Sequence, residues 1–515
     1  MENTGLLSIV TFLPVAGAVV VLFLPKNSEA NIKFVSAVTT GLTLLLSLGV
    51  FFCAFDTDSA GRFQLVDRCD WIPRLGIQYK LAVDGLSLPL VCLTTLLSFL
   101  SVCYSWRVTH RVKEYFAFFL LLETGMIGVF CALDVFLFYI FWEVSLVPMY
   151  FIIGIWGHDK KEYAAIKFFL YTLVGSLAML LAMLGLYFHF HTFDFATMIQ
   201  LGAQQDWVIP AESLKGVLIF WGLFLGFAIK VPLFPFHTWL PLAHVEAPTA
   251  GSVILAGVLL KMGAYGFIRF SLPILPQQCQ RFAYAVAVLA LISIIYGALC
   301  AMAQKDIKRL VAYSSVNHMG YVMLGVAAAM AGRAITQGQR LLDVEAMALN
   351  GAVLQMVSHG IITGSLFLLV GVIYDRAHTH DLDAFGGIWP RVPIFGGILI
   401  LAALASLGLP GLAGFVAEFP IFIGAFGVYK LFACLGVIGI VVTAGYFLWM
   451  IQRMLLGPFN EQWSNLEDMD FREKLSLYPL AALMIIIGIM PMWLLDPINN
   501  AMTEMLARIH APLLP

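Results

Sequence analysis

Apolar windows of about twenty residues recur along the whole chain, and they constrain its fold more than any other feature of the sequence. The hydrocarbon core of a bilayer is about 30 Å thick, and a helix of about 20 apolar residues spans it. About fourteen such windows lie between polar or Gly/Pro-containing turns, at residues 5–24, 33–54, 85–105, 115–133, 134–156, 163–188, 215–240, 249–270, 281–303, 308–330, 344–374, 393–427, 430–455 and 475–497. With 61% hydrophobic and only 12% charged residues, a soluble fold would lack a polar surface. The sequence therefore predicts an all-α polytopic membrane protein.

The rest of the composition excludes several classes of protein. The formal net charge is −2 and no basic patch occurs, so nothing in the chain points to nucleic acid. The eight Cys show no CxxC or Cys/His metal spacing, so we expect neither a metal site nor a disulfide framework. The first window, Leu6–Leu24, has no basic segment before it. We interpret it as a retained helix rather than a cleaved signal peptide.

The distribution of Lys and Arg among the connections predicts the orientation. If the N-terminus lies outside, the inner connections carry more Lys and Arg than the outer ones, as the positive-inside rule requires. We therefore expect both termini to be periplasmic, in a bacterial inner membrane. Three basic residues then remain within helices, namely Lys167, Lys230 and Lys261.

Two of the predicted helices are interrupted near their middles. The seventh contains Pro232 and Pro235, and the twelfth contains the segment Gly408–Pro420. Discontinuous helices at matching positions of inverted repeats point to the ion site of a transporter. Helices 4–8 and 9–13 each have a broken fourth member, so we interpret them as two five-helix repeats, inverted because five is an odd number. This predicts four parts: N-terminal helices 1–3 (1–114), a first proton half-channel (115–270), a second, inverted one (281–455), and a loop with the last helix (456–515).

Ionisable residues occupy the middles of six predicted helices: Glu143, Lys230, Lys261, His318, His359 and Glu418. Another, His237, follows the break in the seventh helix. A charged group at the bilayer centre costs roughly 2.5–3.5 kcal/mol even on the lenient insertion scale. A single buried His is most often a core residue, and one Glu–Lys pair can be a purely structural ion pair. Six ionisable residues at one depth instead predict a polar axis along the membrane midplane.

The residue types on this axis suit proton transfer. Burial disfavours the charged form of a carboxylate or an amine, whereas a nearby opposite charge favours it. An amine whose acidic partner can move away therefore becomes a site that takes up and releases a proton. Lys230 and Glu143 are predicted to be such a switchable pair, and His side chains supply intermediate steps because their ordinary pKa is near ~6.5.

Two other charged residues have alternative interpretations. Lys167 lies near the start of its helix and can extend its amine to the membrane surface, or act beside Glu143. Glu123 is central in the fourth helix, where a function and a structural pairing are equally compatible with the sequence.

Several motifs together resemble one known family, the antiporter-like membrane subunits of respiratory complex I, and among them the M type, also called the subunit 4 type. The matching segments cover most of the chain: DGLSLPLV (84–91), FWEVSLVPMYFIIGIWG (141–157), KFFLYTLVGSLAML (167–180), the stretch 230–266, DIKRLVAYSSVNHMGYV (306–322), QMVSHG (355–360) and GLPGLAGFVAEF (408–419).

The resemblance implies a proton-translocating subunit of an NADH:quinone oxidoreductase. The chain itself would hold no cofactor, and FMN, iron–sulfur clusters and quinone would belong to partner subunits, with the L-type and N-type subunits as membrane neighbours. The resemblance also implies a role for each matching residue: Glu143 as the fifth-helix carboxylate, Lys230 as the broken-helix lysine, Lys261 as the connecting lysine, His237, His318 and His359 as linking histidines, and Glu418 as the exit residue. Glu418 also marks the M type, because the L and N types generally have Lys there.

The chain departs from the family pattern at two places. Leu242 stands where the family usually has Asp, so a carboxylate expected near the inner mouth is absent, and Ala417 precedes Glu418 where Gly is more usual. Two other functions use the same fold and charges. One is a subunit of a multisubunit cation/proton antiporter, and the other is a subunit of a membrane-bound hydrogenase-type complex. Glu418 favours the redox-driven complex.

Overall fold

The computed structural model of the chain describes residues 4–332 and 339–510, which are almost entirely helical. The helices are α1 (Leu6–Phe23), α2 (Glu29–Gly49), α3 (Ser87–Tyr104), α4 (Val112–Cys131), α5 (Val135–Trp156), α6 (Lys161–Phe190), α7 (Phe195–Gly202), α8 (Leu214–Lys230), α9 (Leu240–Glu246), α10 (Thr249–Ile254), α11 (Leu260–Gly266), α12 (Leu272–Ile274), α13 (Pro276–Met302), α14 (Ile307–Met330), α15 (Gln339–Ala377), α16 (Pro393–Ser406), α17 (Ala413–Val428), α18 (Lys430–Ile451), α19 (Phe471–Ile489) and α20 (Met492–His510). Two antiparallel strands, β1 (Gln64–Ile72) and β2 (Ile77–Val83), form a hairpin.

About half of these helices are long and apolar enough to cross a bilayer, singly or as part of a continuous helical span. Ten helices in the described part meet that requirement individually, among them the continuous helical span 249–274, which comprises α10 to α12. The seventh and twelfth spans are each divided into two shorter helices, α8 with α9 and α16 with α17. The tenth span, α14, contains polar residues such as Asn317 and His318 within its buried surface. The predicted arrangement of about 14 spans with broken helices 7 and 12 is confirmed.

Two matching backbone contacts show that the five-helix units are inverted. The second helix of each unit begins at an Asp N-cap, Asp134 before α5 and Asp306 before α14. Each Asp also forms a short β-bridge to the segment after the third helix of its unit, Asp134 to Asp194 and Asp306 to Asp381. The first bridge lies beside the hairpin, where Leu133 donates to the Lys80 carbonyl at 2.9 Å. Since an odd number of spans separates the two bridges, the second lies at the other end of the bundle.

The two ends of the bundle are named here by what they carry. The hairpin face holds β1, β2 and the segment around Asp194. The loop face holds the connections 157–160, 247–248, 303–306 and 378–392, which contact one another through backbone hydrogen bonds such as Ile307 to His380 at 2.9 Å. The residue boundaries of the four predicted parts stay a prediction, although the helices of the two units run from Val112 to Ile274 and from Pro276 to Ile451.

Two features differ from the sequence-based expectation. Residues 55–84, expected as a plain loop, contain the hairpin, whose Lys80 forms an ion pair with Asp194. The last predicted span, 475–497, is two helices, since α19 ends at Ile489 and α20 turns away from it by 66°. The turn has a sequence cause, because Pro491 follows α19 and the residue before a proline is disfavoured in helical conformation.

Burial separates central helices from those at the periphery. The most apolar parts of the spans 249–274 and 343–377 are completely buried, so these spans form the centre of the bundle. Apolar side chains on α6 and α18 are exposed instead, for example Leu181 at 70% and Val441 at 67%. Such surfaces are expected where a membrane protein contacts lipid or partner helices.

Candidate functional site

Side chains from the seventh and ninth spans form hydrogen bonds with the backbone at the break in the seventh span. α8 ends at Lys230 and α9 begins at Leu240, and the indole of Trp239 donates to the Ile229 carbonyl at 2.9 Å. On the other side of the break, the Phe234 amide donates to the hydroxyl of Ser293 at 2.8 Å. Because backbone groups at membrane depth must be satisfied within the protein, these two bonds allow the helix to stop where Lys230 lies.

Lys230 is buried at the end of α8, but it does not form the predicted contact pair with Glu143. Its amine lies 5.0 Å from the ring centroid of Trp142 and has no hydrogen-bond partner among the described residues. Glu143 lies within electrostatic range of that amine, but no ion pair within 4.0 Å joins the two side chains in the described structure. The Tyr139 hydroxyl interacts with Glu143 instead. The two side chains are therefore separated in this structure, and the switchable pair stays a prediction.

Close backbone packing places Lys261 beside α8 at the depth of the break. A Cβ atom at Gly263 would lie 2.5 Å from the Phe227 carbonyl oxygen, so only glycine permits this approach of α11 to α8. The preceding residues, Leu255–Leu259, are wound as a π-helix. This winding leaves the Ala256 carbonyl to accept a hydrogen bond from the Lys261 amine. Short π-helical segments occur frequently at functional sites.

Lys261 makes the first contact of a continuous line of buried polar side chains. Its amine lies 2.7 Å from the Nδ1 atom of His359 on α15. The close approach of the two helices again depends on glycine, because a Cβ atom at Gly360 would lie 2.8 Å from the Gly257 carbonyl oxygen. Lys261 is 0% exposed and His359 is 2% exposed.

The line continues from α15 to the twelfth span. The rings of His359 and His318 have their centroids 5.6 Å apart. The Nδ1 atom of His318 lies 2.9 Å from Oε1 of Glu418, which also accepts a hydrogen bond from Gln355 at 3.0 Å. The Nε2 atom of His318 contacts the Ser406 hydroxyl at 3.1 Å. The structure thus brings together four of the predicted site residues, Lys261, His359, His318 and Glu418, in one file of contacts; we call them the midplane line.

Glu418 and His237 occupy somewhat different positions from those expected. The gap in the twelfth span comprises residues 407–412, and Glu418 is one turn inside α17, where it faces His318. His237 lies within the gap of the seventh span and its ring packs against Phe234, with centroids 5.8 Å apart. Its Nδ1 atom has no hydrogen-bond partner among the described residues. His237 therefore accompanies the break and is not in contact with the midplane line.

His244 on α9 is a candidate that the sequence interpretation missed. It is 0% exposed, its ring stacks on Phe367 at 4.6 Å, and neither ring nitrogen has a hydrogen-bond partner in the described part of the chain. Both Lys261 and Lys308 lie within its electrostatic range. A signal was present, because His244 follows His237 by seven residues in the same interrupted segment.

Lys308 and Arg269 stand at the edges of their predicted windows, 308–330 and 249–270, and were not counted among the basic residues within helices, yet both are buried within spans. Lys308 is 2% exposed in the first turn of α14, and Arg269 is 4% exposed in the eighth span. Arg269 forms an ion pair with Asp84 at 2.6 Å, which removes it from the expected outer connection. A charge at the edge of an apolar window gives no sign in the sequence of the tertiary contact that neutralises it.

The two residues with open interpretations have distinct surroundings. Glu123 is 0% exposed on α4, and both of its carboxylate oxygens lack a hydrogen-bond partner among residues 4–332 and 339–510. The structural-pairing interpretation is therefore not seen in that part of the chain. Lys167 lies 5.9 Å from the ring of Tyr171, and the Tyr171 hydroxyl accepts a hydrogen bond from Thr238 at 2.9 Å. This arrangement places Lys167 beside the break in the seventh span.

The donor sets needed for a bound metal do not occur in the described residues. No group of three or more His, Cys, Asp or Glu side chains there has a metal-binding arrangement. The chemistry that the buried groups can perform is the transfer of protons. The midplane line places an amine, two imidazoles and a carboxylate in succession, each in contact with the next.

Comparison with known proteins identifies the family. The model of the family described as NADH:quinone oxidoreductase/Mrp antiporter, TM, matches residues 132–443. The chain belongs to this family. Among its relatives, NADH-quinone oxidoreductase subunit M of Rhodobacter capsulatus is 43% identical over 524 residues, covering 100% of this chain and 98% of the relative. Subunit M of Pseudomonas aeruginosa is 42% identical over 504 residues and 94% of each chain.

Solved structures show the same fold in this family. A chain of respiratory complex I from Thermus thermophilus with bound NADH superimposes with a TM-score of 0.84 at 28% identity, covering 97% of this chain and 99% of that one. A chain of the Mrp complex from Dietzia sp. DQ12-45-1b gives a TM-score of 0.80 at 22% identity, covering 96% of this chain and 52% of that one, which supports the fold alone. The chain is therefore an antiporter-like membrane subunit, of the kind that forms part of an oxidoreductase complex.

Proposed function

We propose that this chain moves protons across a bacterial inner membrane as the M-type subunit of an NADH:quinone oxidoreductase. The observation that carries the proposal is the midplane line, in which Lys261, His359, His318 and Glu418 join the two inverted units by successive contacts. Each of these side chains is at most 4% exposed. A buried file of titratable groups between two inverted units is the arrangement expected of an ion path.

The separated Lys230 and Glu143 form the variable end of this path. In a buried site the charged form of an amine depends on a nearby carboxylate. Movement of Glu143 towards or away from Lys230 therefore changes how firmly Lys230 holds its proton. A proton released there passes, through His237 or bridging water, towards Lys261. Water bridges are an effective substitute for direct hydrogen bonds, and the unpartnered Lys230 amine and His237 nitrogen can accept them.

The redox chemistry belongs to other subunits in this proposal. NADH, FMN, iron–sulfur clusters and quinone act elsewhere in the complex, and the L-type and N-type subunits are the membrane neighbours. A positive-inside distribution of Lys and Arg favours periplasmic termini, and the structure has the N-terminal segment and α20 on the same, hairpin face. On this orientation the loop face is cytoplasmic.

A cation/proton antiporter subunit is the second candidate function. The observation in its favour is that the matching family model covers antiporter subunits as well as oxidoreductase subunits. Three observations favour the redox-driven complex: Glu418 in the twelfth span, where antiporter subunits generally have Lys, and the identities of 43% and 42% to subunit M chains over nearly their whole lengths. Purification with native partners and an assay of NADH-dependent quinone reduction separates the two functions.

The first test neutralises Glu143 in the intact complex. Glu143→Gln keeps the volume and hydrogen-bonding capacity of the side chain but cannot titrate, so we expect an assembled complex that has lost most of its coupled activity. Glu212→Gln is the matched control, because Glu212 is exposed on the hairpin face. The measurements are NADH-driven proton pumping in vesicles and co-purification of the chain. Near-normal pumping by an assembled Glu143→Gln complex would contradict the path.

The second test changes Lys261 in two ways. Lys261→Ala should abolish most pumping, and Lys261→Arg should fail at least partly, because Arg holds its proton at any accessible pH. Lys215→Ala, at an exposed position, is the control. If Arg pumps as well as Lys, the residue provides charge or packing and does not exchange protons.

A further inference from the structure

A second group of titratable side chains surrounds a cavity on the loop face. The cavity has a volume of about 410 Å³ and lies between the connections that follow α5, α9, α13 and α15. Its walls include His158, Glu246, Tyr374, Thr379 and His380. None of these residues belongs to the midplane line, and the sequence analysis assigned none of them a function.

Three aromatic rings stack along one wall of the cavity. Tyr374 and His380 lie almost parallel, with centroids 4.2 Å apart and planes at 13°. The ring of His158 meets Tyr374 edge-on at 5.0 Å. These contacts come from two different helical units, because His158 follows α5 and Tyr374 is at the end of α15. The wall is therefore built from both helical units.

Burial and a nearby lysine favour the neutral form of both histidines of this wall. Burial and the neighbouring Lys308 lower the pKa of His158 to about 4. Burial, Lys308 and His158 lower the pKa of His380 to about 3. A neutral imidazole carries one donor and one acceptor nitrogen, so each ring can conduct a proton between water molecules without holding a fixed charge that would repel it.

Glu246, at the end of α9, forms the floor of the cavity, and the buried Lys308 contacts the same end of that helix. The Lys308 amine donates to the Val245 carbonyl at 3.2 Å and to the Ala247 carbonyl at 2.7 Å. A cation at the C-terminus of a helix is favourable, because the unpaired carbonyl groups there carry partial negative charge. The Glu246 carboxylate accepts a hydrogen bond from the Lys160 amide at 2.8 Å. Lys308 thus ties α14, in the second unit, to the broken span of the first unit.

His244 lies directly behind this floor. It is two residues before Glu246 on α9, completely buried, and its electrostatic neighbours are Lys308 towards the cavity and Lys261 in the midplane line. His359 is also within electrostatic range of His244. Burial of an imidazole whose two nitrogens have no hydrogen-bond partner in the described structure costs free energy unless water or another group pairs with them. Its position connects the cavity with the contact between Lys261 and His359.

We propose that this cavity is the mouth through which the aqueous phase at the loop face exchanges protons with the midplane line, and that His244 is the link between them. The inference rests on the proposed function and specifies where its protons are taken up. In each transfer one nitrogen of His244 accepts a proton from water at the floor, and the other nitrogen releases a proton towards Lys261, so the ring returns to its neutral form. Lys308 sets the position of α9 and thereby of His244.

A thiol placed in the cavity provides the test with little change to the fold. Thr379→Cys is introduced into the intact complex, and the impermeant reagent sodium (2-sulfonatoethyl)methanethiosulfonate is added to inside-out vesicles, which present the cytoplasmic surface. Modification adds a bulky anion inside the cavity. We expect NADH-driven proton pumping and coupled quinone reduction to fall on modification. The same treatment of Gln462→Cys, exposed on the loop face outside the cavity, should leave both rates unchanged.

The outcomes separate the inference from the proposed function. The proposal that this cavity is the proton mouth is overturned if the Thr379→Cys thiol is completely modified and pumping is unchanged. It is also overturned if the thiol fails to react. His244→Phe retains the stacking on Phe367, and normal pumping by that variant in an assembled complex overturns the link. If Lys261→Ala stops pumping while modified Thr379→Cys and His244→Phe pump normally, only the proposed mouth and its link are wrong. If Lys261→Ala pumps normally, the proposed function itself fails. Unmodified variants and reagent-treated wild type control for the native cysteines.

Discussion

The buried ion pair between Asp84 and Arg269 supplies the sharpest stability prediction. Arg269 donates to Asp84 at 2.6 Å, and each residue is only 4% exposed. Three aromatic rings surround the guanidinium, those of Phe63, Phe195 and Tyr265, at 5.2–5.9 Å. This environment excludes most solvent, so a charge that loses its partner stays largely desolvated.

The expected cost of Asp84→Ala has two parts. Breaking a buried pair by removing one partner costs about 3–5 kcal/mol, because the remaining charge stays buried and unpaired. Asp84 also accepts hydrogen bonds from the amides of Leu86 and Ser87 at 3.1 and 3.0 Å, at the start of α3. Loss of such a capping side chain costs about 1 kcal/mol. Asp84→Ala should therefore be among the most destabilising single changes in the chain.

The assay is the thermal stability of the purified complex, measured as the fraction of the chain that remains in the complex after heating. Asp84→Asn should be intermediate, because the amide oxygen can still cap α3 while the charge is lost. The double variant Asp84→Ala, Arg269→Leu should be more stable than Asp84→Ala alone, since it no longer buries an unpaired cation. If the double variant is the least stable of the three, the cost does not come from the unpaired charge and the reasoning is wrong.

The other predictions concern titration. Lys230→Met should change the titration of Glu143, and Glu143→Gln that of Lys230, in infrared difference spectra of the assembled complex; if neither titration moves, the two groups are not coupled. Lys308→Met should raise the pKa of both His158 and His380, because Lys308 helps to lower both values, and NMR of labelled imidazoles can measure the change; unchanged values would show that burial alone lowers them. The pKa of His158 is lowered from 6.5 to about 4 by folding, so its contribution to stability is complete above about pH 6.5 and is lost as the pH falls from there towards about 4. His158→Phe should flatten this part of the pH–stability curve, and an unaltered curve would contradict the assignment.

Local properties of the sequence predicted much of the fold and of the site. Apolar length located the spans, and prolines located the break in the seventh, because both signals act within one helix. Positions within apolar windows were enough to predict which titratable residues lie at mid-depth, among them Glu143, Lys261, His318 and Glu418. Three of these four residues, Lys261, His318 and Glu418, belong to the midplane line.

Signals that depend on distant residues were missed or misread. Arg269 and Lys308 were not counted among the basic residues within helices because each stands at the edge of its apolar window. Only the positions of Asp84 and of the carbonyls at the end of α9 reveal why each is tolerated in a span. The hairpin was missed because its strands are held by pairing with each other and by the ion pair of Lys80 with Asp194. His244 escaped notice because one histidine in an apolar segment usually has a packing role.

The sequence by itself determined that the chain crosses a membrane, where it does so, and which titratable residues lie at mid-depth, because hydropathy and helix interruption are properties of single segments. Tertiary structure alone decided which of these residues touch. Lys261 reaches His359 because glycines at 263 and 360 bring three helices together, whereas Lys230 and Glu143 are neighbours without contact. The physical reason is that proton transfer depends on distances of a few ångströms between helices far apart in the chain, and those distances follow from packing rather than from the order of residues.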